Sequence, residues 1–150
     1  MGYLELGMID DALAELRALP PKLRHEPEVL EMEAAIGLQT GRWQLAEDAL
    51  NALCRQPGAC VDLFVDWSCS LYELGRMEEC RQALLLAPRE RDAHGIWHYH
   101  LACLESQRGA SEEARQLIRQ ALCLDPCLRR RAEANPNLSP ILPPRAQSAA

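Results

Sequence analysis

Residues 109–126 read Gly-Ala-Ser-Glu-Glu-Ala-Arg-Gln-Leu-Ile-Arg-Gln-Ala-Leu-Cys-Leu-Asp-Pro. After the opening glycine, small or apolar residues recur at Ala114, Ile118 and Ala121. Spacings of four and three residues place these side chains on one face of an α-helix, and Pro126 ends it because proline cannot continue a helix. The segment therefore predicts a glycine turn followed by an amphipathic helix.

The same pattern occurs three more times upstream. The glycines Gly7, Gly41, Gly75 and Gly109 follow one another at intervals of 34 residues. Small or apolar residues follow each upstream glycine at matching positions: Ala12, Leu16 and Leu19; Ala46, Leu50 and Leu53; Cys80, Leu84 and Ala87. A fixed period of roughly 20 to 50 residues is the signature of a repeat array. The chain is therefore predicted to be all-α, with antiparallel helix pairs that reverse at the four glycines.

Apolar spacing and the helix-breaking residues predict the boundaries of each element. We expect helices over about 8–19, 27–40, 43–55, 60–74, 77–86, 93–107 and 111–124, and a short capping helix over 127–134. Residues 1–6 resemble the end of a helix whose beginning is missing, so the chain is either a fragment of a longer array or starts with a half-repeat. Together, residues 1–134 form the predicted repeat domain.

A proline-rich tail follows at residues 135–150. Its four prolines exclude a regular helix. Leu138, Ile141 and Leu142 are the candidates to dock the tail on the last helix pair, and about the last six residues are expected to be disordered.

Composition excludes several classes of function. Hydrophobic residues make up 48% of the 150-residue chain, yet it has one Phe, three Tyr and three Trp, which favours a helical core of Leu and Ala. The net charge of −6 argues against nucleic acid as a partner, since phosphate binding needs clustered Lys and Arg. No apolar run reaches the ~20 residues of a membrane span, and the N-terminus does not resemble a signal peptide. A cytoplasmic protein without a membrane partner is expected.

Cysteine and histidine give no strong indication of a metal or a catalytic site. The seven cysteines form an odd set without a CxxC pair, which fits reduced thiols. The cluster that most resembles a metal site comprises His94, His98, His100, Cys69 and Cys103, but ligand spacings such as HExxH are absent, so we predict no metal and no cofactor. No residues form a recognisable nucleophile or acid–base arrangement, so an enzyme is not expected. The remaining thiols are interpreted as small buried side chains, namely Cys54, Cys80, Cys123 and Cys127.

A 34-residue helix–turn–helix unit with these small and apolar positions resembles the tetratricopeptide repeat. Ala34, Ser68 and Ala102 lie seven residues before the turn glycines and would allow close helix approach. The chain departs from the motif where it favours tyrosine, at Gly37, Leu71 and Glu105, and where it favours leucine, at Glu33. The resemblance covers residues 1 to about 126. It implies about three and a half units in a right-handed superhelical solenoid, whose first helices line a concave groove.

Charge is distributed unevenly over the predicted leading helices. Segments 27–40, 60–74 and 93–107 contain no Lys or Arg but seven acids: Glu28, Glu31, Glu33, Asp62, Asp66, Glu73 and Glu105. Subtracting these seven charges from the net charge of −6 leaves +1 for the rest of the chain. The groove implied by the resemblance would therefore be acidic.

Positions of the leading helices that the resemblance places in the groove define the candidate binding site. They are Glu28, Glu31, Met32, Ala35, Gln39, Asp62, Val65, Asp66, Cys69, Tyr72, Glu73, Ile96, Tyr99, His100, Cys103 and Gln107. Acids beside apolar side chains suit a peptide with one or two basic residues and an apolar anchor. The set contains no Lys, Arg or Asn, the residues with which related repeats clamp a chaperone's C-terminal carboxylate. A protein- or peptide-binding adaptor or co-chaperone-like module is thus the leading hypothesis.

Three alternatives stay open at this point. The acids could merely solvate an exposed face, or the chain could be a structural unit that self-assembles end to end through its terminal repeats. A secretion chaperone built from similar repeats is compatible with the size and acidity of the chain, but no particular residue favours it. If His98 and His100 border the groove, their protonation below about pH 6.5 should weaken the binding of a basic peptide.

Overall fold

The structure, a computed structural model, describes residues 8–144 and is helical throughout its regular parts. Eight α-helices follow in order: α1 Ile9–Ala18, α2 Pro27–Thr40, α3 Trp43–Cys54, α4 Val61–Glu73, α5 Met77–Leu86, α6 Ile96–Gln107, α7 Ser111–Leu124 and α8 Leu128–Ala134. Two 3-10 turns lie at Arg89–Arg91 and Ser139–Ile141. The all-α prediction is confirmed. The predictions for residues 1–6, for the Gly7 turn and for the last six residues lie outside the described residues.

Three helix pairs, α2 with α3, α4 with α5 and α6 with α7, pack antiparallel across glycine turns. Gly41, Gly75 and Gly109 have φ of 69°, 74° and 83°. The residue after each glycine donates its backbone N–H to the carbonyl oxygen five positions earlier, at 2.9 Å in all three turns. This bond satisfies a carbonyl group that the helix end leaves without a partner, and the left-handed glycine makes it possible. The predicted reversals at these three glycines are confirmed.

The helix predicted over 93–107 begins later, at Ile96. After Pro88 the chain forms the 3-10 turn, and Gly95 adopts a left-handed φ of 68°. A helix cannot run through that conformation, so residues 93–95 form a turn instead. Gly95 also approaches α7 closely, since a Cβ on it would lie 2.7 Å from the carbonyl oxygen of Ala121. The sequence pattern did not indicate this close contact.

The described chain divides into two compact units. Unit 1 extends to Ala87 and contains α1 to α5, and unit 2 begins at Pro88 and contains α6 to α8 and the segment after them. Two core clusters hold the first three helices of unit 1 together. One joins α1 and α2 through Ala12, Leu13, Leu16 and Ile36, and the other joins α2 and α3 through Leu30, Ala34, Ala46, Ala49, Leu50 and Leu53.

Gly37 explains one departure from the repeat motif. It lies in the middle of α2, and a Cβ placed on it would be 2.6 Å from the backbone nitrogen of Ala46 on α3. The two backbones therefore meet where the motif would place a tyrosine, and any larger side chain would push the helices apart.

Unit 2 has its own core, which the end of the described chain completes. The buried cluster contains Tyr99, Ala102, Ile118, Ala121, Leu128, Ala132 and Leu138, with Ile141 and Leu142 packed against it. The capping helix is confirmed, and so is the docking of Leu138, Ile141 and Leu142. The cap and the following residues therefore cover an apolar face that α6 and α7 would otherwise expose.

Candidate functional site

Acidic residues of α2 and α4 form the candidate site in unit 1. Glu28, Glu31, Asp62 and Glu73 are exposed, whereas Glu33 and Asp66 are half-buried. Neither helix contains a Lys or an Arg. We refer to these six acids as the acidic set.

Asp62 and Asp66 are the electrostatically strained pair of this set. They lie four residues apart on α4, so their carboxylates are neighbours on one helical face. Burial raises the pKa of Asp66, and the negative charge of Asp62 raises it further. Partial burial likewise raises the pKa of Glu33, against the opposing effect of Arg17 and Arg24. A cation placed beside Asp66 would offset both the repulsion from Asp62 and the solvation that the Asp66 carboxylate loses through burial.

Large apolar side chains are exposed on the same two helices. Met32 on α2 is 52% exposed and Tyr72 on α4 is 42% exposed. Of the other predicted site residues in unit 1, Gln39 is exposed, Ala35 and Cys69 are half-buried, and Val65 is buried. Val65 therefore supports α4 from inside and offers no open side chain to a ligand. Acidic and apolar groups are both accessible on these helices.

The predicted site residues of unit 2 have different surroundings. Tyr99 is buried, and the guanidinium carbon of Arg131 lies 4.8 Å from its ring centroid. Asn135 donates its side-chain N–H to the sulfur of Cys103 at 3.4 Å. Ile96 is half-buried, and Gln107 is exposed. The cap and the residues after it thus cover much of the α6 face that the sequence predicted to be an open groove.

His100 contradicts the predicted pH response. Burial lowers its pKa to about 4, with the charge of Arg131 acting in the same direction. In the folded protein the imidazole is therefore neutral at pH 5.5 and at pH 7.5, so its protonation cannot weaken peptide binding near pH 6.5.

Glu105 does not contribute to an exposed acidic surface either. Its side chain is 4% exposed, and its Oε1 lies 3.7 Å from Nη1 of Arg108. It occupies the motif's tyrosine position, which faces into the helix pair. Of the seven acids counted from the sequence, the six in unit 1 therefore have exposed or half-buried side chains.

Sequence reasoning missed a buried carboxylate at Glu47. Only 5% exposed, it accepts a hydrogen bond from the indole N–H of Trp67 at 3.1 Å and one from Gln44 at 3.0 Å. The guanidinium of Arg76 lies 3.3 Å away. The carboxylate thereby links α3, α4 and the turn before α5. No motif in the sequence distinguishes Glu47 from a solvated acid of an outer helix.

Sequence reasoning also missed the contact between Asp92 and His98 at the start of α6. The buried Asp92 carboxylate is 2.7 Å from Nδ1 of His98 and 3.4 Å from the backbone nitrogen of the same residue. An acid at the N-terminal end of a helix interacts favourably with the helix dipole and with free N–H groups. This arrangement accounts for the burial of Asp92 and fixes the ring of His98.

Of the four cysteines predicted to be buried, only Cys80 is fully buried. Cys123, in the last turn of α7, and Cys127, directly before α8, are exposed. Cys80 is buried and Cys54 is half-buried, and burial raises the pKa of each thiol to about 12. Among residues 8–144, no group of three or more His, Cys, Asp or Glu side chains is placed to hold a metal ion.

Comparison with solved structures identifies the fold. The structure of MamA MSR-1 C2, a protein that contains tetratricopeptide repeats, matches with a TM-score of 0.70 at 22% identity, over 83% of this chain and 72% of that one. The chain has a tetratricopeptide-repeat-like fold. No family model and no curated protein matches the sequence significantly.

Within this tetratricopeptide-repeat-like fold, α2, α4 and α6 are the leading helices of their pairs. The acidic set therefore lies entirely on leading helices, whereas Glu47 lies on a second helix. In the described part of the chain, no helix is long and apolar enough to cross a membrane.

Proposed function

We propose that the chain is a non-catalytic protein-binding module, an adaptor that captures a partner through the acidic set on α2 and α4. The observation that carries this proposal is the Asp62–Asp66 pair, two neighbouring acids on a helix without bases, the second of which is half-buried with a raised pKa. Proteins rarely bury part of a carboxylate beside a like charge unless an interaction offsets the cost.

The chemistry of the set indicates the class of partner. Arg or Lys of a peptide would pair with Asp62 and Asp66, and an aliphatic or aromatic residue would pack on the exposed Tyr72 or Met32. Charge complementarity mainly speeds encounter and excludes wrong partners, while apolar burial supplies affinity. We therefore expect a short segment with one or two basic residues and one apolar anchor.

The test uses pools of ten-residue peptides that contain two arginines and one leucine, and a twin pool with glutamate in place of arginine. The chain should retain the basic pool and not the acidic pool, and added salt should weaken retention. Replacing both acids, Asp62→Lys with Asp66→Lys, should abolish retention.

A matched control is available on α1. Asp11 and Glu15 are exposed acids with the same spacing of four residues, so Asp11→Lys with Glu15→Lys makes the same change in net charge. Retention that falls equally in both double variants would reflect net charge alone and would contradict a site on α4.

Self-assembly through the terminal repeats is the competing hypothesis. In unit 2 the apolar face that a second copy would cover is already covered by α8 and Leu138. Light scattering that shows a dimer or a longer assembly, combined with no peptide retention, would favour it over the adaptor.

A further inference from the structure

Residues 135–144, called here the tail segment, follow the capping helix and contact α6, α7 and α8. They read Asn-Pro-Asn-Leu-Ser-Pro-Ile-Leu-Pro-Pro and carry no charged side chain. α6 has no Lys or Arg, and its one acid, Glu105, is buried. The face of α6 and the tail segment therefore match in being uncharged, which distinguishes this face from the acidic set of unit 1.

The contacts of the tail segment resemble those of a bound peptide. Ser106 of α6 donates its hydroxyl to the carbonyl oxygen of Asn137 at 2.6 Å. Arg129 of α8 donates to the carbonyl oxygen of Pro143 at 2.8 Å. Protein surfaces that bind linear segments commonly use hydrogen bonds to the main chain for affinity and a side-chain pocket for specificity.

Leu138 fills such a pocket. It is fully buried, in a cluster with Tyr99, Ala102 and Ile118. The amide of Asn135 contacts the sulfur of Cys103 and, at 3.5 Å, the hydroxyl oxygen of Tyr99, beside the pocket. The face of unit 2 therefore recognises a buried leucine, Leu138, and the polar contacts of Asn135, which precedes it in the segment.

The composition of the segment favours docking. Its four prolines restrict the unbound chain, so less conformational entropy is lost when the segment docks. The hydrogen bonds to Asn137 and Pro143 come from side chains of the helices and do not belong to a continuous helix or sheet, so the same bonds could hold a segment of another chain.

We propose that this face of unit 2 is a second peptide-binding site, for uncharged, proline-rich segments that form a turn around one buried leucine, and that the tail segment fills it in cis. A segment of similar sequence on a partner protein would compete with the tail. Because a tethered ligand has an effective concentration of about millimolar, the partner must bind tightly or the tail must first be released.

The test uses the full chain with Leu138→Ala and a fluorescent synthetic peptide of residues 135–144, followed by anisotropy. The peptide should bind this variant at least tenfold more tightly than the unsubstituted chain, because the anchor of the tethered competitor has been removed. A peptide with alanine in place of the leucine should not bind at the same concentrations. Adding Ser106→Ala to the variant should weaken peptide binding about fivefold, through loss of one hydrogen bond.

Two results would overturn the proposal. One is equally weak binding of the peptide to both chains. The other is loss of helical circular dichroism in the Leu138→Ala chain that saturating peptide does not restore, since Leu138 would then be a fixed part of the core. Restored helicity would support the site. Either failure leaves the acidic set untouched, because the Asp62 and Asp66 variants are tested with a different peptide and in the other unit.

Discussion

Substitution of Gly95 by alanine should destabilise unit 2 far more than the same substitution at Gly109. Both glycines have positive φ, 68° at Gly95 and 83° at Gly109. Gly95 directly precedes α6, and Gly109 lies just after the end of α6. Around Gly109 no atom lies within 4 Å of an added Cβ. Around Gly95 the added Cβ would meet the carbonyl oxygen of Ala121 at 2.7 Å and its Cα at 3.0 Å. The pair therefore separates the cost of the backbone conformation from the cost of the close contact.

The expected magnitudes follow from these two terms. A non-glycine residue in the left-handed region costs about 1 kcal/mol, so Gly109→Ala should lower the free energy of unfolding by about that amount. Gly95→Ala adds overpacking against the backbone of α7, which no change of rotamer can relieve, at about 1–3 kcal/mol. Its total loss should be about 2–4 kcal/mol.

Urea denaturation followed by circular dichroism measures both losses. The m-value should stay unchanged, because neither variant alters the surface exposed on unfolding. Equal losses at Gly95 and Gly109 would refute the close contact between Gly95 and α7, and with it the packing that starts α6 at Ile96.

Three further outcomes are expected. Glu47→Ala should lower the free energy of unfolding by about 1–3 kcal/mol, because the indole N–H of Trp67 loses its acceptor. Glu47→Gln should lower it less, since an acceptor oxygen remains. Equal losses in the two variants would exclude the hydrogen bond from Trp67 as the cause. The folded-state pKa of His100 is about 4, below the ordinary value of about 6.5, so the free energy of unfolding should fall by about 3 kcal/mol as pH drops from 6.5 to 4. His100→Gln should lack this pH-dependent loss. Identical pH profiles of stability for the two chains would contradict the lowered pKa. In a thiol-labelling time course at pH 8, Cys123 should react rapidly and Cys80, buried with a pKa of about 12, should react slowly; mass spectrometry of the labelled peptides would reveal the reverse order if the burial is wrong.

The repeat was predictable because it depends on local signals. Glycines at a fixed spacing determine where the helices turn, and small residues such as Ala114 and Ala121 determine which face packs. The start of α6 was not predictable, because Gly95 adopts its left-handed conformation where it lies against Ala121, a residue distant in the sequence.

For the candidate site, the sequence predicts side-chain exposure only where exposure depends on the position of a residue along its own helix. The exposure of Glu31 and Asp62 agrees with their places on the leading helices. Tyr99 occupies an equivalent place yet is buried, because the tail segment and α8 fold over it. Buried acids such as Glu47 and Asp92 depend on partners from other elements, which periodicity does not reveal.

A charge exchange, measured by titration calorimetry, tests the acidic site most directly. A ten-residue peptide with two arginines and one leucine, selected from the basic pool, is titrated into the chain and into Asp62→Lys with Asp66→Lys, and its twin with two glutamates is titrated into both. We predict that the arginine peptide binds only the unsubstituted chain and the glutamate peptide binds only the double variant. Binding of the arginine peptide that is unchanged in the double variant would contradict the acidic site.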